Sequence, residues 1–100
     1  MNREQQIIEK LKQALNKVSD DLKGYRVFLF GSRATGKAGR RSDFDVGILG
    51  QKKLSLRTFY RIDDLFDRIE TLYNIDLVDL SEVTDRFRRE ALKKTEILYG

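Results

Sequence analysis

Two short apolar runs, Val27 to Phe30 and Phe44 to Leu49, stand on either side of a segment built for close turns. Glycine recurs there at 31, 36 and 39, and Arg33, Lys37, Arg40 and Arg41 meet no acidic residue before Asp43. Runs this short, bounded by glycine, read as strands, the first of them buried on both faces. The second run opens on Asp43 and Asp45, one residue apart. On a strand, such residues share a face, with Cα atoms roughly 6.6 Å apart at about 3.3 Å rise per residue. Two carboxylates at that spacing can close on one divalent cation, opposite a small-residue loop whose amides and cations suit polyphosphate. The layout implies metal-dependent phosphoryl or nucleotidyl transfer. The plainer alternative is a turn aspartate followed by an exposed strand aspartate. Aspartate is depleted in strands, however, and two in alternation beside Val46 and Ile48 are uncommon.

Composition narrows the chemistry further. The chain has no cysteine and no histidine, which removes disulfides, thiolate and imidazole ligands and an imidazole base. Any metal must be held by oxygen, which favours Mg²⁺ or Mn²⁺ over Zn²⁺. One hundred residues make one domain, spanning 1–100, with no room for a separate recognition module. A net charge of +4 is a mild excess with acidic residues throughout, so nucleic acid is not the expected partner. The first residues lack the apolar core of a signal peptide, and no apolar run is long enough to span a membrane. The expected location is the cytoplasm.

Along the chain, Ile7, Ile8, Leu11, Leu15, Val18 and Leu22 recur at helical spacing, predicting a helix over 3–22 ended by Gly24. Tyr25 to Phe30 is the first predicted strand and Asp43 to Leu49 the second, closed by Gly50. Ser55 can cap a helix whose apolar face runs Phe59, Ile62, Leu65, Phe66, Ile69, Leu72 and Tyr73, with Asn74 closing it. Ile75 to Leu80 is a third strand. Ser81 or Thr84 starts a last helix with Phe87, Ala91 and Leu92 inward, and Ile97 to Tyr99 ends the chain as an apolar tail or short strand. The order predicts an α/β (α+β) domain, a small mixed sheet backed by helices. Arg40, Arg41, Lys52, Lys53, Arg86, Arg88 and Arg89 read as solvated faces, and Tyr60 and Tyr73 as packing.

The third strand offers two more carboxylates. Asp76 and Asp79 lie three apart and so face opposite ways on a regular strand. Spacing alone does not choose between them, although Asp79 reads as a strand-end residue facing solvent. Gly31 lets the backbone approach a phosphate, the Ser32 hydroxyl and following amides can donate to its oxygens, and Arg33 adds a charge-assisted donor. A competing pattern overlaps these residues: Gly31 to Lys37 fits a P-loop for seven positions. The eighth is Ala38, where a P-loop needs a metal-ligating hydroxyl, and that reading is rejected.

Gly31-Ser32 followed by Asp43-Phe44-Asp45 resembles the Gly-Ser…Asp-x-Asp signature of the polymerase-β-like nucleotidyltransferases, and most closely their minimal prokaryotic branch (MNT), antitoxins to HEPN-domain partners. Asn74 to Leu80 resembles that branch's third strand, and Phe87 to Tyr99 its closing helix and tail. The resemblance implies that Asp43 and Asp45 hold Mg²⁺ or Mn²⁺, with Asp76, in the apolar-Asp-apolar position, as the third catalytic and metal-facing carboxylate. It implies ATP as substrate, its phosphates at Gly31, Ser32 and Arg33. Many relatives carry a second arginine where this chain has Thr35, which removes one phosphate contact. The implied reaction moves AMP to a hydroxyl, a tyrosine of a cognate HEPN toxin. Two rivals stand beside it: a non-catalytic subunit that neutralises its partner by occlusion, and transfer to a small-molecule hydroxyl, whose enzymes usually carry a helical domain lacking here.

Overall fold

From Tyr25 onward, alternation sends Val27 and Leu29 to one side of a strand and Phe28 and Phe30 to the other, so the sheet it joins needs cover on both faces. A computed structural model of the chain describes residues 2–36 and 43–100. Four strands, β1 (Tyr25–Phe30), β2 (Phe44–Gly50), β3 (Ile75–Asp79) and β4 (Glu96–Tyr99), form one mixed sheet in the order β3-β2-β1-β4. Strand β1 is antiparallel to both β2 and β4, whereas β2 and β3 run parallel. The parallel pair needs a crossover, which the helix α3 (Leu56–Asp67) supplies.

Helices α1 (Arg3–Asn16) and α3 cover one sheet face. Leu11, Leu15, Ile62 and Phe66 meet Val27, Leu29, Phe44, Val46 and Ile48 there in the main core. At about 25 cal/mol per Å² of apolar surface, this face supplies most of the driving force for folding. The other face holds a smaller cluster of Phe28, Phe30, Leu80 and Ala91, the last from α4 (Asp85–Leu92). Gly47 makes that cluster possible: a Cβ there would stand 2.9 Å from Leu80 Cδ1 and 3.0 Å from Phe28 Cε2. No helix among the described residues is long and apolar enough to cross a membrane.

Several boundaries differ from the sequence expectation. The first helix stops at Asn16, and a 3-10 turn at Ser19–Leu22 carries Val18 and Leu22 into the core regardless. The Asp21 N–H donates to Val18 O at 2.9 Å, a three-residue bond that tightens that stretch. Ser55 caps α3 by accepting from the Thr58 N–H, yet the helix ends at Asp67 rather than at Asn74. Past that end the Thr71 hydroxyl accepts from the Tyr73 N–H at 3.1 Å, a local turn that replaces helical bonding and leaves Leu72 fully exposed. Thr84, not Ser81, caps α4. Within α4 only Ala91 is buried, while Phe87 and Leu92 are exposed. The apolar tail is strand β4.

Candidate active site

The same alternation that buries Phe44, Val46 and Ile48 against α1 and α3 turns the residues between them to the opposite face. Asp45 therefore projects from the sparsely covered side of the sheet, and Asp43, two positions earlier, precedes the strand in the same phase. On β3, Ile75 and Leu77 pack into the main core, so Asp76 projects with Asp45. Asp45 and Asp76 are register partners in the parallel ladder, and neighbouring strands lie about 4.8 Å apart. The Phe44 N–H donates to Asn74 O at 2.9 Å, which ties the carboxylate ends of the two strands together.

Electrostatics reports the same cluster. Burial pushes the Asp45 carboxyl up from its ordinary range, and the charges of Asp76 and Asp43 push it further. Like charges held this close favour a bound cation or a shared proton. Among the described residues, no group of three acidic side chains is arranged to hold a metal ion by itself. Mg²⁺ is commonly bound through one or two carboxylates plus substrate phosphates, and an all-oxygen carboxylate pair fits such a role.

Gly31 ends β1 beside this cluster. Its backbone lies at φ 72, ψ −149, a region open essentially to glycine alone. A Cβ would fall 2.7 Å from Asp45 Oδ2, so the missing side chain is the space the carboxylate occupies. The turn continues into the single-turn helix α2 (Ser32–Thr35), which places Ser32 at the edge of the same space.

Arg33, expected to reach phosphate, has a side chain that is 5% exposed and pairs with Glu4 Oε2 of α1 at 3.0 Å. The guanidinium carbon lies 4.2 Å from the Phe44 ring centroid and 4.9 Å from that of Tyr73. These rings belong to the main-core side, away from the carboxylates, and Arg33 anchors α2 from behind. Its partner Glu4 lies 29 residues away in sequence, and no local pattern marks it. Arg33→Lys is expected to lower stability by about 1–2 kcal/mol, since a lysine keeps the charge but cannot lie flat over two rings. Urea unfolding midpoints measure this, and an unchanged midpoint would show that the stacking contributes nothing.

The choice between the β3 aspartates is physical. Asp79 falls on the main-core side, where its carboxylate accepts from the Leu54 N–H at 3.0 Å, the Ser81 N–H at 3.0 Å and the Ser81 hydroxyl at 2.7 Å. It fastens loops, whereas Asp76 is exposed beside Asp45. Arg88, read as solvated, instead donates to Leu80 O at 2.6 Å and to Val83 O at 3.1 Å, shaping the turn into α4. Phe30, the register partner of Asp45, meets the Phe87 ring edge-on at a centroid distance of 6.1 Å. Lys37, Ala38, Gly39, Arg40 and Arg41 lie outside the described residues, and the P-loop comparison at Lys37 and Ala38 with them. A groove of about 890 Å³ lies between α1 and the Glu70–Tyr73 segment. None of the three clustered carboxylates lines it, so concavity alone would have pointed elsewhere.

The family model "Polymerase beta, Nucleotidyltransferase" matches residues 5–100. A probable protein adenylyltransferase MntA of Haemophilus influenzae (strain ATCC 51907 / DSM 11121 / KW20 / Rd) is 31% identical over 74 residues, 74% of this chain and 64% of the relative. The chain thus matches under two thirds of that relative's length. Among solved structures, a toxin–antitoxin crystal structure with AMP-PNP superposes at a TM-score of 0.67 with 23% identity, covering 93% of this chain and 73% of the other. A tri-AMPylated Shewanella oneidensis HEPN toxin in complex with its MNT antitoxin gives 0.57 and 20%, covering 90% and 72%. At these identities the structural likeness is one of fold.

Proposed function

We propose that this chain, which belongs to the polymerase beta nucleotidyltransferase family, is a single-domain, magnesium-dependent adenylyltransferase that moves AMP from ATP to a hydroxyl of a HEPN-type toxin. By doing so it acts as an antitoxin in the cytoplasm. The observation that carries the reading is the meeting of Asp43, Asp45 and Asp76 on one sheet face beside Gly31. The names of the relatives support the donor and acceptor classes, since one is a probable protein adenylyltransferase and another accompanies an AMPylated HEPN toxin.

In this reading Asp43 and Asp45 would hold Mg²⁺, with Asp76 facing it. The ion, when bound, neutralises the phosphate charge and polarises the α-phosphorus for in-line attack. Gly31 leaves room for the Asp45 carboxylate beside the turn, and the Ser32 hydroxyl and amide donate to the phosphate oxygens. Through Glu4, Phe44 and Tyr73, Arg33 holds the turn in position. Asp76 accepts the proton of the attacking hydroxyl as the new oxygen–phosphorus bond forms. The bond to the bridging oxygen breaks and pyrophosphate leaves.

The test is calorimetry of nucleotide binding. ATP is expected to bind much more tightly with Mg²⁺ or Mn²⁺ than in EDTA, because three carboxylates facing phosphates repel them until a cation intervenes. Equal affinity with and without metal would remove the reading.

A further inference from the structure

Phe87 packs edge-on against Phe30 and yet remains an exposed aromatic ring. It sits on α4, and 45% of its surface remains accessible although its neighbour Ala91 is buried in the small cluster. Its contact with Phe30 is perpendicular, with an interplanar angle of 81°. In either sense of such a contact, at least one face of Phe87 is left uncovered by Phe30. Phe30 is itself the β1 residue opposite Asp45, so the open ring lies one side chain beyond the carboxylates. Tyr60, the other aromatic among the exposed large hydrophobic residues, is on α3, which packs against the opposite face of the sheet.

We propose that Phe87 is the nucleobase platform of the site: with the triphosphate at Asp43, Asp45 and Gly31, the base of the bound nucleotide stacks on the uncovered face of Phe87. This rests on the nucleotidyl-transfer reading and adds to it the residue that recognises the base. A nucleotide holds its base away from its phosphates, and a flat apolar face is what a base presents to such a ring. Stacking of this kind is tolerant of base identity, so the platform favours nucleotides over bare polyphosphate more than it separates one nucleotide from another.

The experiment compares ATP with inorganic tripolyphosphate, both as Mn²⁺ complexes, titrated into the wild type and into Phe87→Leu and Phe87→Trp. Leucine keeps apolar contact with Phe30 while removing the flat face, and circular dichroism establishes that each variant is folded. The expected result is that wild type binds ATP more tightly than tripolyphosphate. Phe87→Leu then loses about tenfold in ATP affinity, with tripolyphosphate affinity unchanged, and Phe87→Trp restores or improves ATP binding. Loss of both ligands in parallel, or no loss of ATP affinity in Phe87→Leu, overturns the platform while leaving the phosphate site intact. Wild type that binds ATP no better than tripolyphosphate overturns it as well. Failure of wild type to bind either complex overturns the nucleotidyl-transfer reading itself and the platform with it.

Discussion

Replacing Asp43 and Asp45 together by asparagine is expected to abolish AMP transfer while leaving the fold standing. The substitution removes both proposed metal-binding charges with almost no change of volume. Several kcal/mol of charge stabilisation go with the ion, so transfer from α-labelled ATP to a co-expressed HEPN-domain toxin should fall by about a thousandfold or more. Stability should move the other way. The Asp45 carboxyl is held above its ordinary range by burial and by Asp76 and Asp43, so its folded-state pKa exceeds its unfolded one. Such a group favours the folded state fully below its unfolded pKa, and that contribution is lost as pH rises through the folded pKa. At neutral pH the charged Asp45 therefore works against folding, and an asparagine there relieves the repulsion. The variant should melt at or above the wild-type temperature at pH 7, with the difference shrinking as pH falls through the carboxylate range. Thermal melts across that range measure it. The occlusion alternative predicts a different outcome: the double variant neutralises the toxin as well as wild type does, and neither form transfers label. That result would end the catalytic reading.

What could be read from the residues, and what could not, follows from the range of the interactions. The strands β1, β2 and β3 were legible because each is a short apolar run bounded by glycine or polar residues, and burial enforces such runs. The shared face of Asp43 and Asp45 was legible because alternation is a local rule. Its apolar-Asp-apolar setting and the resemblance favour Asp76 over Asp79, but its place beside Asp45 depends on the register of β3 on β2, a pairing between segments some thirty residues apart. The helix ends were misplaced for a related reason. Periodicity continues through Ile69, Leu72 and Tyr73, but the Thr71 side chain supplies the backbone with a competing bond, and a hydrophobic pattern does not register hydroxyl competition. The contacts of Arg33 were not legible, because a cation after Gly-Ser reads locally as a phosphate ligand. Its carboxylate partner and its two aromatic neighbours come from α1, the start of β2 and the segment before β3, which meet it only in the folded chain.

The second large effect is expected from one added methyl group at Gly31. Gly31→Ala places a Cβ 2.7 Å from Asp45 Oδ2, closer than such atoms pack, on a backbone at φ 72 and ψ −149 that alanine resists. Strain of that kind costs about 1–3 kcal/mol, which urea unfolding measures. The clash has only two outlets. Either Asp45 swings away and its alignment with Asp43 and Asp76 is lost, or β1 shifts and carries Ser32 with it. Both disrupt the proposed site, so AMP transfer should fall about a hundredfold or more, as displacements near 1 Å do at reacting centres. Gly24→Ala separates this from simple destabilisation. Gly24 also has a positive φ, of 84, but a Cβ there meets nothing within 4 Å, and it lies at the far end of β1. It should lose comparable stability and keep its activity. Transfer rates that track stability equally in the two variants would show that Gly31 is only a turn residue, and that the space it leaves for Asp45 has no bearing on the reaction.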